Sequence, residues 1–218
     1  DRLAEQKIIV RKARIGEEIV AINGARRALF HDMLVIADGR RPVAIAGVMG
    51  GAETEVSNST RNIFLECAEF EQRQVRRTSR ALGISSDSSY RFERGIDPEG
   101  IDHASQRAVW LISDCAGGEI AGGTVNVISE RHETKKITLR MERLHKVLGV
   151  EIKRDVAIDI LKKLQCNILN NVDKFIDLEV PSFRGDISRE IDLIEEVARI
   201  YGYNNIPTKT SIDVRGST

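Results

Sequence analysis

Five side chains between residues 83 and 98 could act on a polar ligand: Ser85, Ser86, Ser88 and Ser89 crowd around Asp87. Arg91, Glu93 and Arg94 follow, then Gly95 and Asp97-Pro98. Four small hydroxyls, each both donor and acceptor, suit a loop that holds a polar group. A second set is Asp186, Asp192, Glu195 and Glu196. On a helix over 187–203 the last three stand at i, i+3 and i+4, where like charges repel by a few tenths of a kcal/mol per pair (~0.2–0.5). Two compensations fit. One is Arg199, four residues after Glu195, with the favourable field of a helix N-terminus. The other is a hard divalent cation such as Mg²⁺, which takes oxygen ligands. Glu66 is a third candidate. It lies in the apolar run Ile63-Phe64-Leu65-Glu66-Cys67-Ala68, where alternation makes it a half-buried strand residue. Such a carboxylate needs a partner, either structural or a ligand's polar group. The glycine-rich run Ala46–Ala52, with Gly50 near its end, is neither GxGxxG nor a P-loop. A β-turn and a close backbone approach to a ligand both remain open for it. Arg73, Arg76, Arg77 and Arg80 recur at helical spacing, as either a solvated face or a phosphate-contacting one. His31, His103, His132 and His145 form no partner pattern.

These groups need a scaffold. The chain has 218 residues, 41% hydrophobic and 5% aromatic, enough for one or two aliphatic cores. Thirty-three basic and 33 acidic residues cancel, which argues against whole-surface attraction to nucleic acid and leaves room for a local basic patch. Cys67, Cys115 and Cys166 are far apart and make no zinc pattern, as in a reducing cytoplasm. No signal peptide or membrane-spanning run is legible. The chain begins at Asp1 rather than Met and reads as a piece of a larger protein.

Residues 1–70 read as β-rich, with strands over 8–10, 18–22, 34–36, 43–46 and 63–66. Turns fall at Asn23-Gly24, Asp38-Gly39 and Gly50-Gly51. A polar helix is predicted over 71–82. A longer one is predicted over 97–116, capped by Asp97, with Val109, Leu111, Ile112 and Cys115 facing a core. A linker is expected over 128–135. The second unit reads strand (137–140), helix (141–148), helix (156–164), strands (166–169, 175–180) and a helix over 187–203. Ile187, Ile191, Ile194, Ala198 and Tyr201 make that last helix's apolar stripe.

The motifs Gly47-Val48-Met49-Gly50-Gly51, Leu65-Glu66-Cys67-Ala68, the run Ser86–Pro98 and Cys115-Ala116-Gly117-Gly118 resemble the B3/B4 region of the bacterial phenylalanine–tRNA synthetase β subunit family. The runs Pro181–Ile187 and Asp192–Pro207 resemble its B5 domain. The resemblance covers nearly the whole chain, with the motifs in order. It implies an α+β fold: a truncated B3/B4 editing-type domain over 1–130, a small winged-helix-like B5 domain over 131–210, and the start of a linker over 211–218. It implies a part in Phe-tRNA(Phe) synthesis and hydrolytic editing of mischarged Tyr-tRNA(Phe), the second sieve needed when one pocket discriminates too weakly. Glu66 matches the carboxylate that recognises the tyrosine hydroxyl, and Gly50 a pocket-wall glycine. Ser86 and Ser88 match positions where relatives often carry Thr and Ala. Ser86, backbone groups and the substrate would share the activation of water. Asp186, Asp192, Glu195 and Glu196 match the family's Mg²⁺ ligands, with the ion shared with the α subunit. The implied partners are that α subunit, in an α2β2 heterotetramer, and tRNA(Phe). ATP would be bound by α alone, the setting cytoplasmic, and no membrane involved. A family Pro-x-His-Ala-Phe-Asp motif would end at Asp1, so part of the editing pocket's wall would precede this chain and editing by the piece alone is not expected; with the aminoacylation site in α, the piece would not ligate either. The rival reading is a non-catalytic module that presents tRNA and docks the α subunit.

Overall fold

The computed structural model describes residues 2–129, 132–172 and 174–207; the expected linker at 211–218 and the motif end at Asp1 lie outside the described residues. The chain divides into two compact units, 1–125 and 126–218.

In the first unit, β1 (Ile9–Lys12), β4 (Leu34–Ala37), β5 (Pro42–Ile45) and β6 (Met49–Gly50) form an antiparallel sheet in that order. β2 (Glu18–Val20) and β3 (Arg26–Ala28) pair as a separate hairpin. Asn23-Gly24 makes the β2–β3 turn, and Gly24 takes φ +79°, which glycine adopts without steric cost. β3 escapes the sequence reading because Arg26 and Arg27 carry no apolar alternation. At Asp38-Gly39 the Asp38 carboxylate is buried and accepts N–H bonds from Arg40, Arg41 and Ala4, at 2.8, 2.8 and 3.0 Å. That side chain, together with Gly39 N–H donating to Ala4 O at 3.2 Å, ties the β4–β5 turn to residue 4. The expected turn at Gly50-Gly51 is a correction. Gly50 pairs with Ala44 in β6, and Gly51 N–H donates to Val43 O at 2.8 Å. The reversal comes earlier, at Ala46–Val48, with Gly47 at φ +68°. A Cβ on Gly47 would stand 2.9 Å from Val75 Cγ2 and 3.0 Å from Phe70 Cδ2, so the core leaves no room for one.

α1 (Gln72–Leu82) starts where Glu71 accepts from the N–H groups of Arg73 and Gln74, and stops at Gly83, φ +61°. Its buried face, Val75, Thr78 and Ser79, meets a core that includes Val35, Ile45, Val48 and Ile84. Three expectations fail here. Residues 63–66 are not a strand, and Glu66 is exposed rather than half-buried. Asp97 does not cap the long helix: α3 runs over Gly100–Ala116, while Asp97 accepts from Glu99 N–H at 3.1 Å in the turn before it. And α3 buries none of its residues. Leu111 is exposed, Cys115 is exposed, and Val109 and Ile112 are half-buried. Periodicity marked an apolar face, but the described residues cover it only in part.

The second unit follows the reading more closely. β7 (Lys136–Arg140), β9 (Phe175–Glu179) and β8 (Asn167–Val172) form an antiparallel sheet in the order β7-β9-β8. α4 (Met141–Leu148), α5 (Arg154–Lys163) and α6 (Glu190–Tyr201) supply helices, and α6 packs on β7, α4 and α5. Leu139 and Ile176, paired across the sheet, are fully buried together with Leu178, Leu144 and Leu161. α6 begins at Glu190, not Ile187, because Asp192 closes a capping arrangement at Arg189. Its buried face is centred on Leu193, Ile194, Val197 and Ala198, so the expected stripe is rotated. No helix of the described residues is long and apolar enough to cross a membrane.

Candidate functional site

Residues 83–98, expected to be a loop, contain a short helix, α2 (Asp87–Phe92). Its start is set by local chemistry. Ser86 is the N-cap and its hydroxyl accepts from Ser89 N–H at 3.0 Å; the Ser89 hydroxyl accepts from Ser86 N–H, also at 3.0 Å. This reciprocal box satisfies two N–H groups that a helix start otherwise leaves open. The signal was legible as Ser-x-x-Ser, a polar variant of the usual Ser-x-x-Glu. The Ser86 hydroxyl also donates to Val48 O at 2.5 Å. Thus the serine cluster and the glycine-rich run, two separate sequence motifs, are joined by one side chain. Phe92 packs on Phe70, with ring centroids 5.1 Å apart, which anchors the other end of α2.

The consequence for chemistry is direct. A serine hydroxyl has one proton and two acceptor sites. Ser86 commits its proton to Val48 and one acceptor site to Ser89, so it positions the loop and has one acceptor site left for a water or a substrate group. Ser88 is half-buried and Asp87 exposed. A Cβ added to Gly50 would meet only Ile22 Cγ2, at 3.7 Å, so the fold itself does not require glycine there.

Glu66 makes no hydrogen bond to Ser86, Ser88 or Gly50. Although the residue is exposed, atoms crowding its carboxyl strip water from it and push its pKa above the usual glutamate value. Among the described residues no donor reaches it, which leaves it open to the polar group of a ligand. A different cleft, lined by Glu18, Arg26, Arg41 and Glu53, opens between the β2–β3 hairpin and β5. It contains none of the four expected pocket residues, and its charges are paired with each other, as in the Arg26–Glu18 bridge at 3.0 Å.

In the second unit the four acidic residues are not gathered into a cation site. Arg184 grips Asp186 through two bonds, at 2.9 and 2.7 Å, and reaches Glu196 at 3.2 Å. Arg199 holds Glu196 at 2.7 Å. Asp192 accepts from Ser188 and Arg189 N–H, at 3.0 and 2.8 Å. These N–H bonds, with the Arg189 guanidinium, hold its pKa down to about 2. The bidentate Arg184 likewise holds Asp186 below its ordinary range, and Arg199 with Arg184 does so for Glu196. Of the four, Glu195 is exposed and has no ion-pair partner among the described residues. Among the described residues no three His, Cys, Asp or Glu side chains converge on one point. Sequence spacing could not foresee Arg184 as the compensating charge, because it lies twelve residues before Glu196. As placed, the four do not fit a bound ion. His145 is structural, its Nε2 2.9 Å from Ile152 O.

Comparison with known proteins adds two domain matches: B3/4 domain over residues 1–117, and tRNA synthetase B5 domain over 137–203. The chain is 45% identical over 207 residues to the phenylalanine–tRNA ligase beta subunit of Moorella thermoacetica, covering 95% of this chain and 26% of that protein. It is 44% identical over 218 residues to that of Bacillus subtilis, covering 100% and 27%. The chain therefore spans about a quarter of the length of these relatives. Among solved structures, an N-terminal fragment of the phenylalanyl-tRNA synthetase beta subunit from Pyrococcus horikoshii matches with TM-score 0.48 and 12% identity, over 93% of this chain and 58% of that one.

Proposed function

Because the chain belongs to the B3/4 domain family and carries the B5 domain of phenylalanine–tRNA ligase beta subunits, we propose that it serves the editing arm of that ligase, hydrolysing tyrosine wrongly joined to tRNA(Phe). The observation that carries the reading is Glu66: an exposed carboxylate with no hydrogen-bond partner among the described residues, its pKa raised by the atoms crowding it. The ionised group accepts a hydrogen bond from a tyrosine phenol. Phenylalanine has no such donor and leaves the carboxylate desolvated and unpaired, and a site built this way discriminates by orders of magnitude, ~10⁴-fold in favourable cases. Ser86 is a positioning residue that pins α2 to the Ala46–Val48 turn. Water activation is shared among Ser86, through its remaining acceptor site, backbone groups and the substrate. Ligation, with ATP, belongs to the α subunit in an α2β2 assembly in the cytoplasm, and the B5 unit docks that partner. The magnesium role of Asp186, Asp192, Glu195 and Glu196 is supported by spacing and resemblance alone, so no step here runs through a metal.

The test is deacylation of Tyr-tRNA(Phe) by the full-length ligase carrying Glu66→Ala or Glu66→Gln. Discrimination between Tyr-tRNA(Phe) and Phe-tRNA(Phe) should fall at least tenfold, with ligation unchanged; unaltered discrimination overturns the assignment. The commitment of the Ser86 hydroxyl to structure favours a second reading, a tRNA-presenting module without hydrolysis. That reading wins if the wild-type ligase clears Tyr-tRNA(Phe) no faster than spontaneous hydrolysis.

A further inference from the structure

α1 divides cleanly into two faces. Val75, Thr78 and Ser79 are buried, and Leu82 is half-buried on the same side. The opposite face carries Arg73, Arg76, Arg77 and Arg80, all exposed, at i, i+3, i+4 and i+7. The helix contains no acidic residue. Only Arg77 has an ion-pair partner among the described residues, Asp32 at 3.2 Å. Arg73, Arg76 and Arg80 are left as three adjacent cations with no ion pair among the described residues, in a chain whose formal net charge is zero. Gln74 donates to Asp32 O at 2.6 Å, so the helix bearing them is held in place from the side. The packed neighbour α2 adds Arg91, also exposed and with no ion pair among the described residues.

We infer that this face of α1 is a contact surface for the phosphate backbone of a transfer RNA. Three features select that partner. All four cations are arginine, whose planar fork matches a phosphate with two parallel bonds. Side chains at i, i+3 and i+7 stand in a row about 5–6 Å apart, so they meet several phosphates rather than one compact anion. The exposed face has no large apolar residue, which a membrane-seated helix or a protein hot spot needs. The choice of tRNA as partner rests on the proposed function; the geometry alone selects a polyanion with regularly spaced charges.

The experiment measures binding of fluorescent tRNA(Phe) to the 218-residue chain by anisotropy, across a salt series from about 50 to 200 mM. The variant is Arg73→Gln/Arg76→Gln/Arg80→Gln. The control is Lys146→Gln/Lys153→Gln/Lys162→Gln, which removes the same charge from the second unit. Loss of three phosphate contacts should reduce the slope of log K against log salt by about 2–3 and weaken binding at least tenfold near 100 mM. The control should leave the slope within about 0.5 of wild type. Equal losses in the two variants, an unchanged slope in the arginine variant, absence of tRNA binding by the wild-type chain, or displacement of tRNA by poly-glutamate at equal charge each overturn the inference. Deacylation by the full-length ligase reports separately: a Glu66 variant that loses discrimination while tRNA affinity holds concerns the pocket and not α1.

Discussion

Ser86→Ala is the substitution that most directly separates positioning from chemistry. Ser86 makes two bonds with its hydroxyl: it caps α2 by accepting from Ser89 N–H at 3.0 Å and donates to Val48 O at 2.5 Å. Losing an N-cap costs about 1 kcal/mol, within a range of roughly 0.5–2. Val48 is 1% exposed, so its carbonyl loses a donor where water is scarce, at about 1–2 kcal/mol more. The sum is about 2–3 kcal/mol, which for a unit of this size lowers Tm by roughly 8–12 °C. Ser86→Thr keeps both bonds and should stay within about 1 kcal/mol of wild type. Ser86→Asp keeps the acceptor but has no proton for Val48, and should fall between the two or lower. Urea unfolding followed by far- and near-ultraviolet circular dichroism measures all three. A Ser86→Ala cost below about 0.5 kcal/mol, or a Ser86→Asp variant as stable as wild type, would refute the argument that this hydroxyl is structurally committed. The same ranking should appear in deacylation by the full-length ligase, with threonine retaining activity. If Ser86→Ala is inactive yet folds with wild-type stability, the hydroxyl acts on the substrate instead.

Further outcomes follow from the same geometry. Gly47→Ala must place a Cβ at φ +68° and 2.9 Å from Val75 Cγ2, and should cost about 2–4 kcal/mol from backbone strain and overpacking together. Glu66 has a pKa raised above 4.5, so its ionisation opposes folding: the contribution is favourable at low pH and is lost as pH rises through the folded value. Glu66→Gln should therefore melt above wild type at neutral pH, with the gap closing as pH falls below the ordinary glutamate range, about 4. Asp186 and Glu196 are shifted the other way by Arg184, so their contribution is present above the ordinary carboxylate range and lost as pH falls through their lowered values. Arg184→Met should cost roughly 1–3 kcal/mol at pH 7, less than a fully buried pair because Asp186 is 65% exposed, and should flatten the acid limb of the stability profile. Magnesium at about 10 mM should leave the Tm of the 218-residue chain unchanged, since three of the four carboxylates are already occupied; a rise abolished by Asp192→Asn would show that the arginine pairs yield to the ion.

Local pattern made much of this protein readable from its residues. Asn23-Gly24 specifies a tight turn because glycine reaches positive φ. α4 spans the expected residues because Met141, Leu144 and Gly149 mark one turn's spacing and a stop. β7 and β9 alternate apolar and polar residues against one buried face. The resemblance carried by the 46–52 and 86–98 runs named the family, because long motifs in order are hard to match by chance. What the residues alone could not decide were interactions between segments distant in the chain. Whether Ser86 is a reagent or a brace depends on Val48, 38 residues away. Whether the acidic cluster awaits a metal or is already balanced depends on Arg184 meeting Glu196 across the start of α6. Whether 63–66 is a strand depends on a neighbour to accept its hydrogen bonds, which propensity does not supply. Local sequence chooses a segment's preferred conformation; a polar side chain's role is chosen by the partner that the fold brings to it, because a single proton or lone pair can be spent only once.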